Sequence, residues 1–279
     1  MGVMIRKADG SMQPFDKAKI VKTCLKSGVN IGIAKEIAEK VEAKAYNGIR
    51  TEKILELIFR YLRKHRPLIR HFLDLRKGLS LLQSKPDFER FVQIILCENG
   101  YRVSSNQIIR GRCVEHEVDA IASKDDVTYF VEAKHHSNYH TPTGLDESRI
   151  ARAVLEDVIE GRELGLNNLE IDRAMIVTNT KFSEHAKQYG ECRGISLTGW
   201  SYPPHQGLQD LIEEKKIYPI TCIKMLKKAT MRKLSSNGIV TMKQLVRMER
   251  EELARKTKLE RKTLETIRDK IKSYLSSSE

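Results

Sequence analysis

The sequence predicts an α/β chain in three parts: a mostly helical opening segment, a mixed-sheet core and a small all-helical tail. Three observations predict it. Apolar residues recur at three–four spacing before residue 84 and after residue 205, as on one face of a helix. Between those points the period shortens to two, as in half-buried strands. The charge changes sign with the period: residues 1–85 hold 19 Lys/Arg against 8 Asp/Glu, residues 86–205 hold 13 against 19, and residues 206–279 hold 18 against 10. The expected domains are 1–83, 84–204 and 205–279.

The opening segment begins with a short extended stretch and a turn at Ala8-Asp9-Gly10. Helices follow, the clearest marked by Ile54, Leu57, Ile58, Tyr61 and Leu62, with Gly28, Gly32 and Gly48 as breaks. Ser84-Lys85-Pro86-Asp87 reads as a helix start, with Ser84 as the cap and Asp87 three residues on. The helix it opens buries Phe88, Phe91, Val92, Ile95 and Leu96 and stops at Asn99-Gly100. Val114, His116, Val118 and Ala120 then alternate with Glu115, Glu117, Asp119 and Ile121, as a strand would. A turn at Lys124-Asp125-Asp126 leads into a second strand, Val127 to Lys134. A helix over 146–164, a strand over 174–178, another helix and a strand over 195–198 complete a mixed sheet. The tail carries an apolar stripe of Leu264, Ile267, Ile271 and Leu275.

Composition excludes several classes. No apolar run reaches the roughly 18–20 residues that span a bilayer, and no secretory signal opens the chain, so a cytoplasmic protein without a membrane partner is expected. The five cysteines are far apart and include no Cys-x-x-Cys pair, which argues against a zinc ribbon or a disulfide framework. His135, His136 and His140 fit neither a Cys/His finger nor a His-x-x-x-His helix. Basic flanks of +11 and +8 around a core of −6 suit a polyanion held by its phosphates. The acidic core suits carboxylates whose repulsion a cation relieves.

Hairpin geometry sharpens the second point. With the turn centred between Asp125 and Asp126, Asp119 falls opposite Glu132, where like charges directly across a strand pair repel. Lys134, two residues on, shares the face of Glu132. Two carboxylates and an ammonium group beside the apolar Tyr129-Phe130-Val131 fit a site for a hard divalent cation. Phosphodiester hydrolysis is the chemistry this supports. Asp119 and Glu132 would hold Mg²⁺ or Mn²⁺, Lys134 would orient water and neutralise phosphate charge, and Glu89 would reach in from the preceding helix. The alternative is a pair of strands with solvated charges, Glu132 and Lys134 forming a surface ion pair.

The runs DFERFVQIILCENGY, HEVDAIA and YFVEAKHH, with the later VTNTKFSEHAKQYG, resemble the core of Mrr-type restriction endonucleases over residues 86–200; archaeal Holliday-junction resolvases have a similar core. The resemblance implies the PD-(D/E)xK (restriction-endonuclease-like) fold, Mg²⁺ dependence and DNA cleavage. It puts the metal-binding acids on Asp119 and Glu132, the lysine on Lys134 and the helix acid on Glu89. The proline of the motif is replaced by Val118.

Both flanks carry resemblances of their own. IRKADGSMQPFDKAKIVKTCLKSGV resembles the start of an ATP-cone, a nucleotide-sensing domain, with the likeness reaching about Leu82. It implies an ATP or dATP site involving Lys7, Lys17, Lys19 and Ile20. Physically, lysines on a hairpin and the adjoining helix can neutralise a triphosphate; the alternative is a basic domain that touches DNA and binds no nucleotide. LSSNGIVTMKQLVRMEREELARKTKLERKTLETI resembles a helix-hairpin-helix DNA-binding module. Gly238 would allow the hairpin, Thr241 and Gln244 would cap the next helix, and Lys243, Lys258 and Arg261 would contact DNA. Here the alternative is a packing or dimerisation helix pair, with a second copy of the chain as the candidate partner. Together these readings make a type IV restriction-like, metal-dependent endodeoxyribonuclease regulated by ATP or dATP. The competing reading is a non-cleaving, ATP-responsive nucleic-acid-binding regulator.

Overall fold

The computed structural model describes residues 2–8, 10–66, 72 and 74–276. The opening third carries β1 (Met4–Arg6), β2 (Met12–Pro14), α1 (Lys17–Lys26), α2 (Ile31–Glu42), β3 (Ile49–Arg50) and α3 (Thr51–His65). The middle carries α4 (Leu75–Ser80), α5 (Glu89–Glu98), β4 (Arg102–Arg110), β5 (Glu115–Lys124), β6 (Val127–Lys134), α6 (Leu145–Glu163), β7 (Arg173–Thr178), α7 (Glu184–Arg193) and β8 (Ser196–Thr198). The remainder is α8 (Leu208–Lys215), α9 (Lys228–Ser236), α10 (Met242–Arg247), α11 (Arg250–Thr257) and α12 (Arg261–Ser276).

These elements form two compact units: Met1–Leu73 with Ile223–Met225 and Glu249–Glu279, and Asp74–Cys222 with Leu226–Met248. The helical tail expected over 205–279 is therefore not a third unit. Its α9 and α10 belong with the sheet, because Val240 is fully buried in the same apolar cluster as Phe91 and Ile95. Its α11 and α12 belong with the opening segment, where the rings of Tyr274 and Phe72 stack at 4.0 Å. The first boundary also moves, since α4 lies in the sheet unit.

In the first unit a three-stranded sheet in the order β2-β1-β3 accompanies α1, α2 and α3. Asp16 and Asn30 cap α1 and α2 by accepting the amides of Ala18 and Ile33, satisfying donors that a helix start leaves open. Ile20, Cys24, Ile37, Val41, Leu57 and Leu62 fill its core.

The second unit is a five-stranded mixed sheet in the order β4-β5-β6-β7-β8, antiparallel through β6 and parallel beyond it. Phe91, Val92 and Ile95 of α5 and Leu208 and Ile212 of α8 cover one face; Ala151, Leu155 and Val158 of α6 and Ala186 of α7 cover the other. The β5–β6 turn has two residues, Asp125 and Asp126, both at positive φ, with Lys124 paired to Val127. Such turns match strand twist and set the register. The cap expected at Ser84 is not made. Residues 84–88 form one wide turn closed by Phe88 N–H to the Gln83 carbonyl at 3.0 Å, and α5 starts only at Glu89. Ser84 Oγ instead meets His135 Nδ1 at 3.1 Å.

On the α6 side, Asp157 accepts the Cys113 amide at 2.8 Å and meets His116 Nε2 at 2.7 Å, tying α6 to the loop after β4. Close approach there needs a glycine: a Cβ on Gly161 would lie 2.7 Å from the Gly111 carbonyl carbon and 2.8 Å from the Arg110 oxygen. Backbone cannot yield as a flexible side chain does. Gly161→Ala is therefore expected to destabilise the second unit by about 1–3 kcal/mol in urea unfolding; an unchanged midpoint would show that α6 can lift away freely.

Candidate active site

The β4–β5–β6 ladders carry an irregularity at one place. Ser105 pairs with Ala120 and Gln107 with Val118, but Asn106 and Asp119 are skipped, with Asn106 at φ +42°. Side-chain alternation restarts there. Val118 packs in the α6 layer whereas Ala120 packs in the α5 layer, although they are two residues apart. The β5–β6 ladder also stops at Ala120–Val131. Asp119 and Glu132 thus come next in the expected register, but no backbone pairing joins them. Asp119 Oδ2 accepts the Ala133 amide at 2.8 Å in place of a strand carbonyl. Beyond this point β6 continues alongside β7, with Glu132 across from Ile176 and Lys134 from Thr178.

Glu89 enters from the first turn of α5, 4% exposed, and its Oε1 is buried without a well-angled hydrogen bond. Asp119 is 5% exposed. Burial pushes the Asp119 carboxyl up to about 6, with the charge of Glu89 adding to the rise and the Ala133 amide opposing it. Burial, then the charge of Asp119, raises Glu132 to about 7, with Lys134 opposing. All three acids found in the sequence are therefore brought together. Lys134 is also close, its Nζ 2.7 Å from Glu147 on α6.

Among the described residues no three acidic, histidine or cysteine side chains stand at metal-binding spacing. Instead the ammonium group of Lys85 lies 3.2 Å from Glu89 Oε1, 3.6 Å from Glu117 Oε1 and 3.7 Å from Asp119 Oδ1. A buried acceptor lacking a directional partner, beside carboxylates that already gather a cation, fits a hard divalent ion. Lys85 and Glu147 escaped the sequence reading of the site. Lys85 carries a signal, standing four residues before Glu89; Glu147 carries none without the position of α6. His135 and His136, which fit no zinc pattern in the sequence, are structural: His135 Nε2 meets the Leu79 carbonyl at 3.0 Å, and His136 Nε2 meets Thr143 Oγ1 at 3.1 Å.

The other expected site residues divide. Lys7 is exposed beside the β1–β2 turn, whose Asp9 lies outside the described residues. Lys19 is exposed, 3.8 Å from Asp16. Lys17 is engaged with Glu42 at 2.8 Å and Glu39 at 3.9 Å. Ile20 is 4% exposed in the core of the first unit, so its side chain does not face a ligand as expected. Gly238 takes the positive φ of a hairpin, +73°, and Thr241 with Gln244 forms the expected capping box. That first hairpin, however, is packed onto α5. Ser235 Oγ donates to Asp87 at 2.5 Å, Arg90 donates to the Ser235 carbonyl, and Lys243 and Arg247 both pair with Glu98. Lys243 is thereby committed to protein, correcting its expected place on DNA. In the second hairpin Lys258 itself adopts the left-handed conformation, φ +52°, where a glycine is absent. Lys258 and Arg261 lie in the other compact unit from Gly238 and Lys243.

Sequence comparison divides the chain into the three consecutive parts expected from the sequence, the last of which the structure shares between the two compact units. The family model for an ATP cone domain matches residues 3–77, that for a restriction endonuclease (Mrr-type catalytic domain) residues 82–199, and that for an AF1548-like C-terminal domain residues 218–273. An uncharacterized protein of Archaeoglobus fulgidus is 38% identical over 159 residues, 57% of this chain and 86% of that protein. The crystal structure of the protein of unknown function AF1548 is 36% identical with a TM-score of 0.58, covering 68% of this chain and 97% of that one. The chain belongs to the AF1548-like family. It joins an ATP-cone domain to a restriction-endonuclease-like α/β domain, followed by the family's helical C-terminal region. No helix among the described residues is long and apolar enough to cross a membrane.

A carboxyl group whose native pKa lies above its unfolded value holds its proton more tightly when folded. Its contribution favours the fold at low pH and is lost as pH rises from the ordinary carboxylate range through 6 and 7, the values for Asp119 and Glu132. Asp119→Asn or Glu132→Gln should therefore raise the melting temperature of the chelator-treated protein by about 2–4 °C at about pH 8, with little effect near pH 4. A lowered midpoint at the higher pH would mean that these carboxylates hold the fold together.

Proposed function

We propose that this protein is a divalent-metal-dependent DNA endonuclease whose output is set by ATP or dATP at the ATP-cone domain. The observation that carries the reading is the parting of β5 from β6, which gathers Glu89, Asp119, Glu132 and Lys134 on a restriction-endonuclease-like sheet. Asp119 and Glu132, with Glu89 beside them, would hold Mg²⁺ or Mn²⁺. The ion would supply polarisation of the phosphoryl oxygen and a more acidic water. Lys134 orients the water and donates to the phosphate oxygens as charge develops on them. Glu147 fixes Lys134 through their 2.7 Å pair. The basic flanks supply sequence-independent grip on the DNA backbone, with Lys258 and Arg261 as the tail's contacts.

Cleavage of duplex, single-stranded and junction DNA with Mg²⁺ tests the reading. Lys134→Ala is expected to lower the cleavage rate by about 10²–10³-fold while Mn²⁺ binding by calorimetry is kept; Asp119→Asn should lose both. Full activity in either variant overturns the assignment of these residues. An inert wild-type protein that still binds DNA and nucleotide favours the non-cleaving regulator.

The first domain is expected to bind adenine nucleotide through Lys7 and Lys19, the exposed lysines of its hairpin and α1. Nucleotide at a hundredfold excess over Kd would stabilise the domain by about 2.7 kcal/mol, enough to switch a population near balance. Thermal-shift titrations with ATP and dATP, paired with cleavage assays, check this. Lys7→Ala and Lys19→Ala should reduce the shift and the nucleotide effect while leaving basal cleavage intact. A shift with unchanged cleavage leaves a real site without coupling, and no shift makes the domain a DNA-holding or oligomerising arm.

A further inference from the structure

We propose that Lys85 is a tethered occupant of the divalent-cation site: its ammonium group neutralises Glu89, Asp119 and Glu117 in the metal-free protein and leaves before a cation binds, so that Lys85 sets the metal affinity. This rests on the metal-site reading above and deepens it. The Nζ of Lys85 lies within 3.2–3.7 Å of an oxygen from each of these three carboxylates, so it stands where a shared cation would stand.

The asymmetry of burial says which partner moves. The side chains of Glu89 and Asp119 are 5% and 7% exposed, whereas that of Lys85 is 65% exposed. Glu89 and Asp119 are fixed by the fold, Glu117 is as exposed as the lysine at 65%, and the lysine reaches the buried pair from solvent. Its neighbours fix the backbone without fixing the side chain. Ser84 is bonded to His135 and Asp87 to Ser235, while Lys85 itself is extended at φ −119°, ψ 135°. The ammonium group meets Glu89 Oε1 at 3.2 Å, but at a poor hydrogen-bonding angle. A divalent ion, with more charge and no directional requirement from hydrogens, satisfies that oxygen better.

Competition of this kind weakens apparent affinity by the fraction of time the site stands open. A site open one-tenth of the time binds about tenfold more weakly than its intrinsic affinity. The function gained is control: stray cations are held off, and cation entry is tied to whatever draws the lysine away.

The test is calorimetric titration of the metal-free, full-length wild-type, Lys85→Met and Lys85→Arg proteins with MnCl2. Lys85→Met is expected to bind Mn²⁺ about tenfold more tightly, and to keep that gain in about 0.5 M salt, where longer-range fields are screened. Lys85→Arg, which preserves the charge, should bind as weakly as wild type. Because Lys85 is exposed, melting curves should show all three folded. Equal or weaker Mn²⁺ binding by Lys85→Met overturns the proposal while leaving the metal site standing. A gain that disappears at high salt overturns it in favour of a general field effect. No Mn²⁺ binding by any of the three removes the metal-site reading itself.

Discussion

Asp119 is buried where β5 and β6 part, and its carboxylate takes the Ala133 amide that a strand carbonyl would otherwise accept. Much of the second unit follows from accommodating that group beside Glu89 and Glu132. A carboxylate removed from water is stable only when neutralised or paired. The fold answers with an amide from β6, an ammonium group from the turn before α5, and raised pKa values for Asp119 and Glu132. The ladder irregularity at Asn106 and Asp119 is the backbone's share of the same arrangement, because a regular strand would turn Asp119 to one sheet face instead of toward β6. Ladder irregularities next to reactive groups re-aim a side chain in this way. The opposition between charge and burial is tolerated because the central strands are apolar on both faces, with Ala122, Val131, Phe130 and Ile176 all at most 2% exposed.

How much of this was legible in the sequence depended on whether the signal was local. The Asp125-Asp126 turn and the alternation after Val127 placed β5, β6 and the register, and with them Asp119, Glu132 and Lys134. Glu89 was legible because it sits in the first turn of an amphipathic helix. The strand β4 was not, because Arg102-Val-Ser-Ser-Asn-Gln-Ile-Ile-Arg lies at the sheet edge with most side chains exposed and has no clean alternation. Val114, read as the start of β5, is 53% exposed and lies outside it. The cap at Ser84 looked right by composition, yet Ser84 binds a histidine 51 positions away. Long-range partners of that kind leave no periodic trace, and Glu147, paired with Lys134 from α6, belongs to the same class.

The two hairpins of the tail differ in how their cations are placed. Gly238 provides the turn and Thr241 the cap, but Ile239 and Val240 are at most 1% exposed and Lys243 is spent on Glu98. The first hairpin therefore works as a buttress for α5. Its apolar Val240, fully buried against α5, is what anchors it. The second hairpin keeps an exposed cation, Arg261, and reaches its turn with Lys258 in a conformation that favours glycine. A non-glycine residue there has a modest conformational cost.

Chain topology bears on how a nucleotide could reach the cleavage chemistry. The first unit is assembled from both ends of the chain and the short segment Ile223–Met225, so the chain enters the second unit at Asp74 and Leu226 and leaves it at Cys222 and Met248. From Met248 the chain leads back into α10, whose Lys243 and Arg247 grip Glu98 at the C-terminal end of α5. Glu89, at the other end of that helix, is where α5 meets the carboxylate cluster. Ser235 on α9 holds Asp87, two residues before Glu89, and so grips the same helix at its start. Continuity of contacts becomes coupling when an element along it has two arrangements that the two ligands favour unequally. The element that meets the geometric requirement is α5, held at both ends by the α9–α10 hairpin and carrying the acid that Lys85 neutralises. A displacement of α5 by a fraction of an ångström would change the fit of Glu89 and Lys85 together.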